Sequence, residues 1–440
     1  MKTLHVLNHF LPQQNAGTEI YTWALCKQLQ HFEIELKVVI PNYGENVCKK
    51  YIYDGIEVFQ YAESTLVNRE VLMGFRKPKG LINFIDFLKE EKPDIVHFHE
   101  ISGSNGIGIH HVEAAKKLGF NVMMTIHLAS YTCKTGILID SSNNSCDGRI
   151  NINKCSICYL KQKGLGKSRD LLARLSFLFL KLNFDTLKWR NSLGTALGTA
   201  SIIKRHKENF QRIFNSTDKV ICITRWYKDI LILNGFESEK ITVIQQGLPF
   251  DNNFELFDPI KKGTGPLKLL YLGRITQVKG LHLLIQALKK MENESVELNI
   301  YGQGDGTNYE QELRIMTMPM MNVKWHGVVG QNEVLNIMNR HDLLCLCSTI
   351  CEMSPLVIQE ARKANLPVLA SDVYGNIEQL KNGKGFLFKT NNAKSLYVQL
   401  KFLTSNKHKL EDVKKRIKQP IGFDEIAKKY LHEYKKLLVK

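Results

Sequence analysis

Strand-like apolar runs alternating with helical patterns constrain this chain more than any other feature. The second half carries them at 267–272, 296–301, 323–326, 343–347, 367–370 and 385–388, the first half at 2–8, 36–40, 92–99, 121–126, 219–223 and 241–245. Alternation of this kind is the mark of parallel strands joined by helical crossovers. A length of 440 residues exceeds what one ordinary core supports. The pattern predicts an α/β protein of two doubly wound, Rossmann-like domains facing across a cleft. They span 1–250 and 267–420, with 251–266 as linker and a closing helix over 423–438.

The most informative run opens into Cys351-Glu352-Met353-Ser354-Pro355-Leu356-Val357-Ile358-Gln359-Glu360. Ser354 can cap a helix whose first turn holds Pro355, and Asn365 with Pro367 end it. Glu352 then lies in the loop ahead of the helix, with Glu360 about a turn and a half inside. The bare amides of Leu356 and Val357 suit a phosphate, because a helix N-terminus gathers unpaired donors and positive potential. Carboxylates accept hydroxyl protons and repel phosphate, so Glu352 and Glu360 suit a sugar or ribose attached to it. The plainer alternative is a dipole partner for Glu352 and a solvated face for Glu360. Two more strand ends carry chemistry. Gly273-Arg274 through Lys279-Gly280 is a tight turn with two cations five residues apart, and Ser371 to Glu378 opens into a loop and helix.

Taken in order, these residues resemble the retaining glycosyltransferases of family four, which have the GT-B fold. Glu352 and Glu360 match the E-x7-E motif, and Arg274 and Lys279 match the G-R-x-x-x-x-K-G element. Gly375-Asn376-Ile377-Glu378 resembles the G-x-P-E loop, with Asn-Ile where Ile-Pro is usual. In the first half, Ala16-Gly17-Thr18-Glu19 resembles the G-G-x-E element, with Ala16 replacing the first glycine and Thr18 placed to cap the next helix. Residues 93–99 resemble P-D-I-V-H-x-H, whose His97 and His99 read as core residues, and His127 matches the strand-ending histidine.

The resemblance implies a nucleoside-diphosphate sugar as donor, bound by the second domain, with the acceptor on the first. Glu352, His127, Arg274 and Lys279 are the implied catalytic residues. Arg274 and Lys279 neutralise the leaving group, Glu352 bonds the donor sugar, and His127 faces the sugar being transferred. Gly17, Gly302, Val328, Leu356, Val357 and Glu360 are the implied donor-binding residues, with Gly17 near the diphosphate and Glu360 on the ribose. Retention of configuration follows from the resemblance alone. Residues 421–440 are implied to return and brace the first domain. There is no Asp-x-Asp motif, so the expected reaction needs no metal, and cations with a helix terminus take its place. No other cofactor is expected for catalysis.

Cys133, Cys146, Cys155 and Cys158 share a loop rich in Asn, Ser, Asp and Gly. Cys155 and Cys158 have knuckle spacing, and two upstream thiols complete a tetrahedral set for a structural zinc. Free or redox-active thiols are the alternative reading. Net charge is +17, and residues 159–213 hold twelve Lys/Arg against three acids. The same stretch includes a leucine-rich helical pattern over 170–184, with Arg174, Lys181 and Lys188 on one face. Such a helix can lie in a membrane interface or pack on the opposite domain, and the excess charge favours an anionic membrane surface. No nucleic-acid motif or stacking platform is present, so nucleic acid is not an expected partner.

The apolar run after Met1 is too short for a signal peptide, and no run of ~18 apolar residues suggests a spanning helix. The expected enzyme is cytoplasmic, peripheral on the inner membrane face. It moves a sugar to a glycan or lipid-linked acceptor in cell-surface polysaccharide or glycoconjugate biosynthesis. A sugar phosphorylase or nucleotide-sugar epimerase of the same fold is the nearest alternative, and a non-catalytic membrane adaptor is the alternative of another class.

Overall fold

The computed structural model describes residues 1–65, 69–72, 76–101, 106–249, 265–291 and 296–439. The expected linker therefore lies, except for its last two residues, outside the described ones. Two compact units result: Met1–Ser142 with Cys146–Gln245 and Phe423–Lys440, and Asn143–Ser145 with Gln246–Gly422.

The first unit is built on β1 (Lys2–Val6), β2 (Glu35–Tyr43), β3 (Lys49–Tyr53), β4 (Ile56–Glu63), β5 (Ile95–Phe98), β6 (Asn121–Ile126), β7 (Lys219–Cys222) and β8 (Ile241–Val243). Their order is β3-β4-β2-β1-β5-β6-β7-β8, and only the β3–β4 pair is antiparallel. The sequence reading passed over that hairpin. Its turn is Asp54-Gly55, both with positive φ (48° and 76°), a combination that suits a two-residue hairpin turn. Elsewhere the strands are buried on both faces, so continuous Val/Ile/Leu runs replace alternation.

The closing helix, Phe423–Leu438, belongs to this unit and packs on the helix Gly17–Gln30. Tyr430 and Tyr434, one turn apart, are fully buried. The Tyr430 hydroxyl lies 3.0 Å from the Tyr21 hydroxyl and 2.9 Å from Thr125 Oγ1. That of Tyr434 lies 2.7 Å from His97 Nδ1.

The second unit carries β9 (Leu267–Leu272), β10 (Val296–Tyr301), β11 (Val323–Gly327), β12 (Leu343–Leu346), β13 (Val368–Ser371) and β14 (Phe386–Phe388). All pairs are parallel, in the order β11-β10-β9-β12-β13-β14. Successive side chains of β9 enter opposite cores. Leu267, Leu269 and Tyr271 join one cluster and Leu270 the other, as a period of two requires. Strand order reverses between β9 and β12 here, and between β1 and β5 in the first unit. At such a point the loops leaving neighbouring strands run to opposite faces and open a crevice at the carboxyl edge.

Two helix starts differ from expectation. The helix after β12 is Leu356–Lys363, and Pro355 precedes it with ψ at 123°. The Pro355 carbonyl accepts from the Ile358 amide at 3.1 Å, so Pro355, not Ser354, takes the capping position. Likewise the Ala16 carbonyl accepts from the Ile20 amide at 3.0 Å, which starts the first helix at Gly17 ahead of Thr18.

Candidate functional site

In the second unit the carboxyl ends of β9 and β12 bring Lys279 and Glu352 together. Lys279 ends the short 3-10 turn Gln277–Lys279, and the Thr349 amide donates to the Val278 carbonyl at 2.8 Å, tying this turn to the loop after β12. Lys279 Nζ lies 2.5 Å from Glu352 Oε1, and Ser348 Oγ donates to the same oxygen at 2.6 Å. Burial alone raises the Glu352 pKa. Lys279, Ser348 and the nearby Arg274 outweigh that and hold the carboxyl below its ordinary range. Arg274 itself is exposed.

Glu360 does not share these partners. It is half-buried, accepts from Gln331 Nε2 at 2.6 Å, and burial shifts its pKa upward. The amides of Leu356 and Val357 open their helix and have no carbonyl a turn earlier to bond. Gly302 closes β10 with φ at 145°, and a Cβ there would meet the Gly273 carbonyl oxygen at 1.9 Å. Val328, just past β11, is exposed.

The loop carrying Glu352 is held from behind. A Cβ on Gly375 would lie 2.1 Å from the Glu352 carbonyl oxygen, so only glycine lets the two backbones approach. Fully buried Asn376 donates to the Ser371 carbonyl at 3.0 Å, and Ser371 Oγ donates to the Ser348 carbonyl at 2.7 Å. Two buried atoms at this edge, Thr276 Oγ1 and Asn376 Oδ1, have no partner among the described residues. The sequence reading names Asn376 only as part of the loop Gly375–Glu378, and Ser348 and Gln331 not at all. Nothing in the local pattern separates Ser348 from an ordinary loop polar residue, or Gln331 from an ordinary first residue of a helix.

In the first unit Gly17 opens its helix in open surroundings. Glu19, two residues on, is buried, accepts from Gln14 Nε2 at 2.8 Å, and is pushed up to about 7, chiefly by burial. His127 follows β6, packs edge-on to Tyr21 and lies parallel to His99. Burial lowers its pKa to about 3, so the ring is neutral, and Nε2 has no partner among the described residues.

Ring nitrogens of His5, His97 and His99 come within 4.8 Å of one another. Both nitrogens of His5 meet neighbours (Thr3 at 3.3 Å, His99 at 3.0 Å), as do both of His97 (Tyr434 at 2.7 Å, Thr125 at 2.8 Å). His99 bonds His5 through Nε2 while its buried Nδ1 has no partner among the described residues, so the cluster is a core hydrogen-bonded at all but that one nitrogen.

Two family models match, "Glycosyl transferases group 1" over residues 252–419 and "Glycosyl transferase 4-like" over residues 11–138. The chain belongs to the group 1 glycosyltransferases. It is 29% identical over 215 residues to the amylovoran biosynthesis glycosyltransferase AmsK of Erwinia amylovora, covering 46% of this chain and 51% of that protein. It is 27% identical over 406 residues to an Escherichia coli UDP-Gal:alpha-D-GlcNAc-diphosphoundecaprenol alpha-1,3-galactosyltransferase, covering 86% of this chain and 84% of that one. Among solved structures it resembles Anabaena Alr3699/HepE in complex with UDP-glucose, with a TM-score of 0.58 and 14% identity, over 98% of this chain and 100% of that chain. The chain spans about half the length of the first curated relatives it matches.

In this group 1 glycosyltransferase Cys133, Cys146, Cys155 and Cys158 are free thiols within electrostatic reach of one another, but they do not share one loop as expected, because the chain turns helical at Ile152. Cys155 and Cys158 lie one turn apart on the helix Ile152–Gln162. The backbone at Gly148, Asn151 and Ser141 hydrogen-bonds the sulfurs of Cys146, Cys155 and Cys158, while burial raises all three pKa values, that of Cys155 to about 11. The side chains point to separate partners: Cys133 Sγ lies 3.1 Å from Thr135 Oγ1, and Cys155 Sγ lies 3.9 Å from the Arg149 carbonyl.

Proposed function

We propose that this glycosyltransferase moves a sugar from a nucleoside-diphosphate sugar to a glycan or lipid-linked acceptor, with retention and without a metal in the chemistry. The Lys279–Glu352 pair at the β9/β12 reversal carries this reading. A donor diphosphate gains negative charge as it leaves the sugar. Lys279, held by Glu352, and the amides of Leu356 and Val357 are donors fixed before reaction, and the exposed Arg274 adds a second cation beside them, which favours the departing group with little reorganisation. Glu352, kept ionised by Lys279, is suited to accept hydroxyl protons of the sugar. Glu360 is suited to the ribose, whose hydroxyls would take the place of Gln331. Gly302 and Val328 border the nucleotide in this reading, and Gly17 and His127 keep the roles that the resemblance implies. A neutral imidazole with a vacant nitrogen suits a sugar hydroxyl.

Retention rests on the family resemblance. The acceptor class draws support from relatives named for amylovoran biosynthesis and for a GlcNAc-diphosphoundecaprenol acceptor. With such an acceptor, the enzyme works in the cytoplasm, peripherally on the inner face of a membrane. We also read the four cysteines as a structural zinc site with no part in the chemistry. The donor set is right for zinc, and backbone amides on the sulfurs stabilise thiolates. The side chains must rotate from their present partners to converge on the ion.

The test is a screen of UDP-, GDP- and ADP-sugars by thermal shift, where a ligand at ~100 Kd adds roughly 2.7 kcal/mol. The best donor is then assayed for transfer with and without EDTA, and the product anomer is read by NMR. Transfer that survives EDTA with the donor's configuration is expected. An inverted product, or activity abolished by EDTA and restored by Mg2+ or Mn2+ but not by Zn2+, overturns the mechanism.

A further inference from the structure

Among the described residues, the helix Arg169–Lys181 is packed on one side. Its inner face presents small buried residues, Ala173 and Ser176, to the helices Ile152–Gln162 and Thr199–Asn215, and Ser176 Oγ accepts the Ala200 amide at 2.7 Å. On the other side Leu171, Leu175, Leu178 and Leu182 recur at four, three and four residues, between 36% and 65% exposed. That spacing lays them along one face. The apolar surface continues beyond the helix through Phe184, Trp189 and Leu193, all exposed. Phe184 contacts both Phe179 and Trp189, which keeps the turn Thr186–Trp189 beside the helix. Scattered surface leucines need no explanation, but a contiguous apolar surface does.

Cations border this surface. Arg174, Lys181 and Lys188 are exposed, and Asp170 and Asp185 are the only acids between 169 and 193. The Lys181 ammonium sits 4.9 Å from the Phe177 ring centroid. Thirteen residues cannot cross a bilayer, and no described helix is long and apolar enough to do so. An apolar stripe edged by cations and aromatic rings matches a surface that is apolar beneath and negative above.

We propose that this face docks in the plane of an anionic lipid bilayer, with the leucines in the acyl boundary and Arg174, Lys181 and Lys188 at the phosphates. This deepens the membrane location proposed above and does not depend on sugar transfer. The full chain is floated with vesicles of phosphatidylcholine alone and of equal parts phosphatidylcholine and phosphatidylglycerol. Two variants follow, Leu171→Ser/Leu178→Ser/Leu182→Ser and Arg174→Glu/Lys181→Glu, all at exposed positions, with circular dichroism to verify folding.

Binding only to the anionic vesicles is expected, with a blue shift of tryptophan emission. Each variant, and raised salt, should weaken binding roughly tenfold or more. No binding to anionic vesicles overturns the proposal, as does binding unchanged in both variants. Self-association of the wild type that the leucine variant abolishes, without vesicle binding, assigns the face to a second copy instead. Donor hydrolysis in solution separates the two readings. Lost vesicle binding with intact hydrolysis sinks only the docking, and lost hydrolysis with intact binding sinks only the transferase reading.

Discussion

Lys279 Nζ and Glu352 Oε1 meet at 2.5 Å although 73 residues separate them in the chain. They come from the two strands between which the order of the second sheet reverses. Both side chains are less than a quarter exposed, so solvent screens the pair less than a surface ion pair.

Lys279→Ala leaves a half-buried carboxylate without its cation. It should lower kcat about 10²-fold or more and also lower the melting temperature. Arg274 is exposed, so Arg274→Ala should lower kcat with little change in melting temperature. Steady-state kinetics beside thermal unfolding separates the two. Full activity in both variants removes the leaving-group role.

Glu360→Ala should act differently. Ribose hydroxyls are bound alike before and during reaction, so donor affinity falls about tenfold or more while kcat changes little. Calorimetric titration of the donor against saturating kinetics checks this, and a fall confined to kcat would contradict the assignment.

Tyr434→Phe removes the hydroxyl that meets His97 Nδ1 at 2.7 Å and leaves a buried nitrogen unpartnered. A loss of about 1–3 kcal/mol follows, read as a lower urea midpoint. An unchanged midpoint means that this contact adds nothing to the packing of the closing helix.

Acid should destabilise the first unit early. Burial holds His5, His111 and His127 at about 3 and His206 at about 4, against an ordinary 6.5. As pH falls below 6.5 the unfolded chain binds protons that the folded one refuses. Stability is therefore full above that value and declines toward the folded values, by roughly 1.4 kcal/mol per pH unit for each histidine. Urea midpoints measured from about pH 7 to about pH 5 should fall steeply, and His111→Gln should flatten the slope.

If the cysteines hold zinc, purified protein should carry about one ion per chain, and Cys155→Ser should lower both zinc content and melting temperature. Metal-free protein of undiminished stability ends that reading.

Much of the architecture is local and was therefore legible. Leu267–Leu272 and Asn121–Ile126 show as strands because apolar runs of that length, bounded by polar turns, have few other ways to bury themselves. Phe423–Leu438 shows as a helix because its apolar residues recur on one face. The β3–β4 hairpin is equally local, since Asp54-Gly55 between two apolar-alternating runs is a hairpin signal. Helix starts were less legible. Ser354 and Thr18 have the chemistry of caps, but backbone torsion at Pro355 and Ala16 decides where the first helical bond forms.

The sequence by itself determined the two alternating α/β halves, the order of Arg274, Lys279, Glu352 and Glu360, and the excess of charge around the leucine-rich helix. Each depends on neighbours within a few turns of chain. Tertiary structure alone decided that Lys279 pairs with Glu352 while Glu360 turns to Gln331, that Gly375 is needed because a backbone passes 2.1 Å from where its Cβ would be, and which side of the helix Arg169–Lys181 stays bare. Those outcomes depend on strand order and on contacts between residues far apart in the chain, and no local pattern of residue types encodes which distant partner is brought within hydrogen-bonding reach.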